Sequence, residues 1–119
     1  MASSAIAPKK VMRPRGEQLR LMAIGADSSF ALAGGYGLSE VFYENLTANA
    51  VTINIGTTDA GTDVASGVAI GANACGHIAG ATLAKRYFSR TTPQTLYVTS
   101  GGWNSASVNV IMIADKVSP

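Results

Sequence analysis

The stretch that decides the fold class is VTINI, residues 51–55, in which apolar and polar side chains alternate without interruption. A period of two is typical of a β-strand with one buried face, because successive side chains point to opposite sides of a sheet. The same alternation recurs over residues 95–99 and 107–114. We therefore predict core-facing positions at Val51, Ile53, Ile55, Val108, Val110 and Met112.

Outward from this stretch, turn signals recur about every 8–12 residues, a spacing typical of an all-β sandwich or barrel. In the first strand we expect Leu19, Leu21 and Ala23 to share one face. The glycines of residues 34–37 indicate a tight bend rather than a phosphate cradle, since the residues that follow favour a strand and not a helix. One helical turn is expected over residues 81–85. The predicted strands, about eight in all, cover residues 18–24, 30–33, 38–46, 51–55, 64–69, 95–99 and 107–114, with another beginning at Tyr87.

Length and composition limit the function classes. The chain has 119 residues, which suits one domain, and 47% of them are hydrophobic. Only 13% are charged, about half of the usual 25%, so disorder driven by charge is not expected for most of the chain. Cys75 is the single cysteine, which excludes an internal disulfide and a cysteine-based zinc cage. A signal peptide has its cations before its apolar segment, whereas here Lys9 and Lys10 follow the weakly apolar residues 1–8. No apolar run is long enough for a membrane helix.

The charge is unevenly distributed. The first 20 residues contain five cations and one carboxylate, whereas the other 99 contain four cations and six carboxylates. Pro8 and Pro14 interrupt any helix in the basic part. We predict an extended basic N-terminal arm at residues 1–16 and a β-sandwich domain at residues 17–119. Basic arms bind acidic surfaces or phosphate backbones, although a solvated terminus gives the same pattern.

Residues that could support catalysis or metal binding are few. His77 is the only histidine, and Cys75 lies two residues before it, on the same face of a strand. Residues 59–63 (DAGTD) have the spacing of a calcium loop but lack its further carboxylates, so a turn is the better interpretation. Glu40 and Glu44 share a strand face, where paired carboxylates could act on glycosides, but a solvated face is the simpler interpretation. We predict no catalytic, cofactor-binding or metal site and no enzymatic activity.

Two further motifs have ordinary structural interpretations. Asn45-Leu46-Thr47 fits the glycosylation sequon, which carries no meaning without a secretion signal. Residues 85–88 (KRYF) place two cations beside two aromatic rings, as nucleic-acid modules do. Core aromatics beside charged edge residues explain this cluster equally well.

The amino-acid sequence of several segments resembles that of a group of small structural proteins encoded by tailed bacteriophages. The similar segments are AGGYG (33–37), ENLTANAVTINIGTTDAGTD (44–63), LAKRYFS (83–89), QTLYV (94–98) and WNSASVNV (103–110). They span residues 33–114 and leave out the basic arm. The resemblance implies a virion protein with a jelly-roll-like β-sandwich of about eight short strands.

Proteins of this group often decorate or cement a capsid. The resemblance therefore implies binding to the major capsid protein on the capsid exterior, synthesis in the host cytoplasm, and homodimers or homotrimers about a symmetry axis. No membrane or cofactor is expected. A tail, fibre or head-fibre role, with Tyr36 or Trp103 exposed at a tip, is one alternative, and a nucleic-acid-binding module is another. The arm residues predicted to contact the capsid are Ile6, Lys9, Lys10, Val11, Met12, Arg13 and Arg15.

Overall fold

The computed structural model describes residues 16–116, and it shows an all-β protein with eight strands and one short 3-10 turn. The expectation of about eight short strands is confirmed. Most predicted boundaries lie within two residues of the observed ones. The strands are β1 Gly16–Ile24, β2 Ser28–Leu32, β3 Tyr36–Asn45, β4 Val51–Gly56, β5 Ala65–Ile70, β6 Cys75–Ala79, β7 Gln94–Thr99 and β8 Val108–Lys116, and the 3-10 turn is Gly80–Thr82.

The strands form two four-stranded antiparallel sheets. The first sheet has the order β1-β8-β3-β6 and the second has the order β2-β7-β4-β5. Strands adjacent in sequence mostly lie in opposite sheets, so the chain crosses repeatedly between the two layers. This is the strand order of a jelly roll, the double-sheet architecture that the sequence resemblance implied.

The core lies between the two sheets, where the alternating segments point their apolar side chains. Every core-facing position predicted in β4 and β8 is buried. Fully burying each aliphatic side chain contributes about 1.5–3 kcal/mol relative to exposure, so these two strands supply a large share of the apolar stabilisation. The confirmed positions are Val51, Ile53, Ile55, Val108, Val110 and Met112.

The facing predicted for β1 is wrong at its C-terminal end. The pairing of β1 with β8 shifts between Leu21 and Ile24, and Ala23 adopts a positive φ of 54° within this bulge. Asn109 stabilises the bulge, since its side-chain Oδ1 accepts a hydrogen bond from the backbone N–H of Ala23 at 2.8 Å. A bulge inserts an extra residue and so reverses the alternation that follows it. Consequently Ala23 is exposed and Ile24 packs against the core instead.

The segment between β6 and β7 also differs from the prediction. The helical turn expected over residues 81–85 is a 3-10 turn at Gly80–Thr82, and no strand begins at Tyr87. Tyr87 instead forms one isolated bridge with Gly37, and the N–H of Leu38 donates to the carbonyl of Arg86 at 2.9 Å. The segment thus contacts the first residues of β3 through these backbone interactions but does not form a further strand of the sheet.

Candidate functional site

The predicted contact residues of the arm lie outside the described residues, but the point where the arm joins the sandwich is described. β1 begins at Gly16, which was assigned to the arm and is in fact the first residue of an edge strand. Gly16 pairs with Asp115, near the C-terminal end of β8. The arm therefore joins the body at one end of the first sheet. The predicted contact residues that precede residue 16 and so are not described are Ile6, Lys9, Lys10, Val11, Met12, Arg13 and Arg15.

His77 and Cys75 share one face of β6, as the sequence predicted, and both are exposed there. The Nε2 atom of His77 lies 3.5 Å from Oε2 of Glu40, and its ring stacks on Phe42 with 5.7 Å between the ring centroids. Within residues 16–116, no three His, Cys, Asp or Glu side chains are arranged to hold a metal ion. The contacts of His77 are those of an imidazole packed on a strand surface.

Asp63 closes the loop between β4 and β5. Its Oδ1 accepts from the backbone N–H of Thr57 at 2.8 Å, and its Oδ2 accepts from the Thr57 hydroxyl at 2.6 Å. The hydroxyl bond, then the backbone bond, hold the pKa of Asp63 below its ordinary value, and the charge of Lys85 at 4.0 Å acts in the same direction. Both carboxylate oxygens are therefore committed to the turn, in agreement with the turn interpretation.

The outer face of the first sheet has an apolar centre that the sequence analysis did not identify. Phe42 is 39% exposed and pairs with Ile111, while Ile113 pairs with Glu40 one row away. We call Phe42, Ile111 and Ile113 the outer patch. Glu40 and Glu44 lie on either side of Phe42, so the paired carboxylates border an apolar patch rather than a catalytic cleft. Glu44 accepts a hydrogen bond from the side chain of Asn109.

Asn45, the first residue of the sequon, is only 2% exposed. Its amide nitrogen donates to the carbonyls of Asn49 at 2.7 Å and Gly71 at 3.1 Å. Its Oδ1 accepts from the N–H and the hydroxyl of Thr47. The nitrogen that a glycan would modify is therefore committed inside the fold, and the side chain of Asn45 joins the end of β3 to two turns.

The basic and aromatic residues 85–88 form an ordered cluster. The guanidinium of Arg86 lies over the ring of Tyr87, 4.9 Å from its centroid, and the ammonium of Lys85 lies 5.9 Å from the centroid of Phe88. Tyr87 is 54% exposed, whereas Phe88 packs against the core. Each cation thus contacts one of the two aromatic rings.

The bend at residues 34–37 lies against the same segment. Gly35 has a φ of 83°, a conformation that favours glycine, and its N–H donates to the carbonyl of Ser89 at 2.9 Å. Since that N–H is already bonded within the fold, the bend lacks one of the amides that a phosphate cradle would use.

The aromatic residues expected at a tip under the fibre alternative are both half-buried. Tyr36 packs against the core, and the indole N–H of Trp103 donates to Asp27 at 2.8 Å. A surface depression of about 490 Å³ lies over the second sheet and the glycine-rich loop before Trp103. It is lined mainly by small and polar residues, among them Thr52, Asn54 and Ser100.

Comparisons with protein-family models, with curated proteins and with solved structures each found no match. Within the part of the chain that the structure describes, no helix has the length and apolar character needed to cross a membrane.

Proposed function

We propose that this chain is a structural virion protein that decorates and cements a tailed-bacteriophage capsid by binding the major capsid protein from outside. Three features support this proposal: the sequence resemblance over residues 33–114, the jelly-roll topology, and the basic arm. The observation that carries most weight is that the arm is continuous with β1, an edge strand of the sandwich. The sandwich supplies a rigid head, and the arm supplies a chain that can lie along a second protein.

The composition of the arm suits that use. Ordering about sixteen residues costs about 1–2 kcal/mol of backbone entropy for each residue, so an arm must recover this free energy from its partner. Ile6, Val11 and Met12 can bury apolar surface. The four cations of residues 1–15, namely Lys9, Lys10, Arg13 and Arg15, can form charge-assisted hydrogen bonds with carboxylates.

Self-association is part of the same proposal. A decorating protein gains avidity when neighbouring copies also contact one another. The outer patch is an apolar surface at the centre of a sheet, formed by exposed Phe42 and half-buried Ile111 and Ile113, and a dimer or trimer would remove it from water.

Co-sedimentation with undecorated capsid shells tests the proposal directly. The shells are assembled from the major capsid protein encoded in the same genome. Three forms are compared: the full chain, a chain lacking residues 1–15, and a chain in which Lys9, Lys10, Arg13 and Arg15 are replaced by alanine. Truncation before Gly16 leaves β1 intact, so the sandwich keeps its edge strand.

We expect saturable binding of the full chain and at least a tenfold loss in both altered forms. If both altered forms occupy the shells to the same extent as the full chain, the arm does not contribute to binding. No binding by the full chain would overturn the cement role. In that case, binding to isolated tails or fibres would support the attachment alternative, and binding to duplex DNA that falls steeply with salt would support the nucleic-acid alternative.

A further inference from the structure

Four of the five cations of the sandwich lie toward one end, and the fifth, Arg20, lies in the middle of β1. Residues 21–119 contain four cations, and three of them, Lys85, Arg86 and Arg90, lie in one loop between the 3-10 turn and β7. The fourth, Lys116, is the last residue of β8 and lies about thirty positions further along the chain. We call these four residues the basic end.

Strand pairing brings the two parts of the basic end together. Lys116 pairs with Tyr36, the first residue of β3, and the next residue, Gly37, forms the bridge with Tyr87. The N–H of Gly35 donates to the carbonyl of Ser89, beside Arg90. The cation-bearing loop therefore follows the start of β3 along the edge opposite β8, so that β3 separates the loop from Lys116 by two strand spacings, about 10 Å.

These charges are only partly neutralised by the protein itself. Within residues 16–116, Lys85 is the one member of the basic end that has a carboxylate oxygen within 4.0 Å, and that carboxylate, Asp63, already binds Thr57. Asp115 is the other carboxylate placed at this end by strand pairing. The basic end thus presents an excess of positive charge to solvent.

The arm joins the sandwich at this same end. Gly16 pairs with Asp115, and Asp115 is the neighbour of Lys116. The basic segment of residues 1–15 therefore connects to the body beside Lys116, and the three loop cations lie on the far side of β3 at the same end of the sheet. A protein that contacts the chain next to Gly16 is within reach of the basic end, where the charges of both can act on one surface.

The aromatic contacts favour a carboxylate-rich protein over a nucleic acid. Base stacking needs a free ring face, but the guanidinium of Arg86 covers a face of Tyr87. A Cβ at position 37 would lie 2.6 Å from a ring carbon of Tyr87, so the ring also lies against the backbone of Gly37. A stacked arginine still presents N–H donors at its edges, and its planar fork matches a carboxylate.

We propose that the basic end is a second docking surface, which binds carboxylate side chains of the protein that also binds the arm. The inference rests on the proposed cement function for the identity of that protein, and it implies that the sandwich contacts the shell end-on. Arg86 forms the ordered centre of this surface, because its carbonyl is fixed to Leu38 and its side chain is fixed on Tyr87.

Single charge removals in the full chain test the proposal. Arg86→Gln removes the central cation and keeps a polar side chain. Arg20→Gln is the matched control for polyglutamate binding, because Arg20 is exposed in the middle of β1 and hydrogen-bonds only to Gln18 within the described residues. It is not compared on shells, since Arg20 pairs with Ile111 of the outer patch. Lys116→Gln is a second test at the exposed end of β8, for use if Arg86→Gln does not fold.

Each variant other than Arg20→Gln is measured against three probes: undecorated shells, immobilised poly-L-glutamate, and duplex DNA of random sequence. Arg20→Gln is measured against the last two. Loss of one charge-assisted hydrogen bond weakens binding by about tenfold or more. We expect Arg86→Gln to weaken binding to shells and to polyglutamate by that factor, and Arg20→Gln to change polyglutamate binding by less than about twofold.

The outcomes separate this inference from the proposed function. Equal effects of Arg86→Gln and Arg20→Gln on polyglutamate binding, or unchanged shell binding by Arg86→Gln, would overturn the inference. Shell binding by the full chain would still support the cement role. Failure of the full chain to bind shells, with a selective loss of polyglutamate binding in Arg86→Gln, would overturn the cement role and support a carboxylate-binding basic end. A selective loss of DNA binding alone would overturn the inference in favour of a nucleic-acid surface.

Discussion

Replacing Asn45 with alanine should lower the free energy of unfolding of the sandwich substantially, because this polar side chain is buried and fully hydrogen-bonded. The side chain makes four hydrogen bonds, two to Thr47, one to Asn49 and one to Gly71. They join the end of β3 to the turn before β4 and to the turn before β6. Because Asn45 is almost completely buried, water does not readily replace the lost partner.

The expected loss follows from these bonds. Each one contributes about 0.5–1.5 kcal/mol net, and a buried group left without a partner costs more. Four bonds, all of them part-buried and made to groups of half-buried or exposed residues, give a loss of about 3 kcal/mol for Asn45→Ala. This is a large share of a domain stability of about 5–15 kcal/mol. For a body of this size it lowers the Tm by about 12 °C or more.

Urea unfolding at neutral pH, followed by circular dichroism, measures this loss. Asn49→Ala is the matched control, since its carbonyl still accepts from Asn45 and its side chain makes only a 3.4 Å bond to Ser105. We expect the control to change the free energy of unfolding by less than about 0.5 kcal/mol. A loss below about 1 kcal/mol in Asn45→Ala, with an unchanged urea dependence, would refute the reasoning.

Two further predictions concern the loop carboxylate and the outer patch. The pKa of Asp63 lies below its ordinary value of 3.8, so its ionised form stabilises the fold above about pH 4 and this contribution is lost as the pH falls through the folded-state pKa. The free energy of unfolding of the unaltered chain should exceed that of Asp63→Asn by an amount that shrinks below about pH 4, in measurements from about pH 6 to pH 2. A difference that stays constant with pH would contradict the role given to Thr57. Phe42→Ser should reduce the mass that light scattering gives for the assembled full chain, whereas Leu46→Ser, at a similarly exposed residue, should not; equal masses would remove the outer patch from the proposed oligomer interface.

The sequence was most informative where one strand face is buried. In β4 and β8, all the residues that the period-two pattern predicted to face the core are buried, because every second side chain of a strand points to the same face of the sheet. It failed at Ala23, where nothing in the local sequence marks a positive φ. The hydrogen bond that stabilises that bulge comes from Asn109, 86 positions away, and such a partner is not visible in a local pattern.

The candidate surfaces were less predictable for the same reason. The cation pair Lys85-Arg86 was visible in the sequence, but its association with Lys116 depends on the pairing of β3 with β8. Likewise, Phe42 and Ile111 belong to strands that are distant in sequence and adjacent in the first sheet. Their positions follow from the strand order, which an alternation pattern does not specify.

The structure also separates the residues proposed for binding from those that stabilise the fold. In β3, Leu38 contacts Arg86 and Asn45 is the last residue, seven positions further along, so the two sites are about 23 Å apart at about 3.3 Å per residue. Mutations at that distance with no shared partner add independently. The double variant Arg86→Gln, Asn45→Ala should therefore show the binding loss of the first change and the stability loss of the second. A coupling above about 0.5 kcal/mol in either measurement would mean that Arg86 acts through the fold and not through direct contact with a partner.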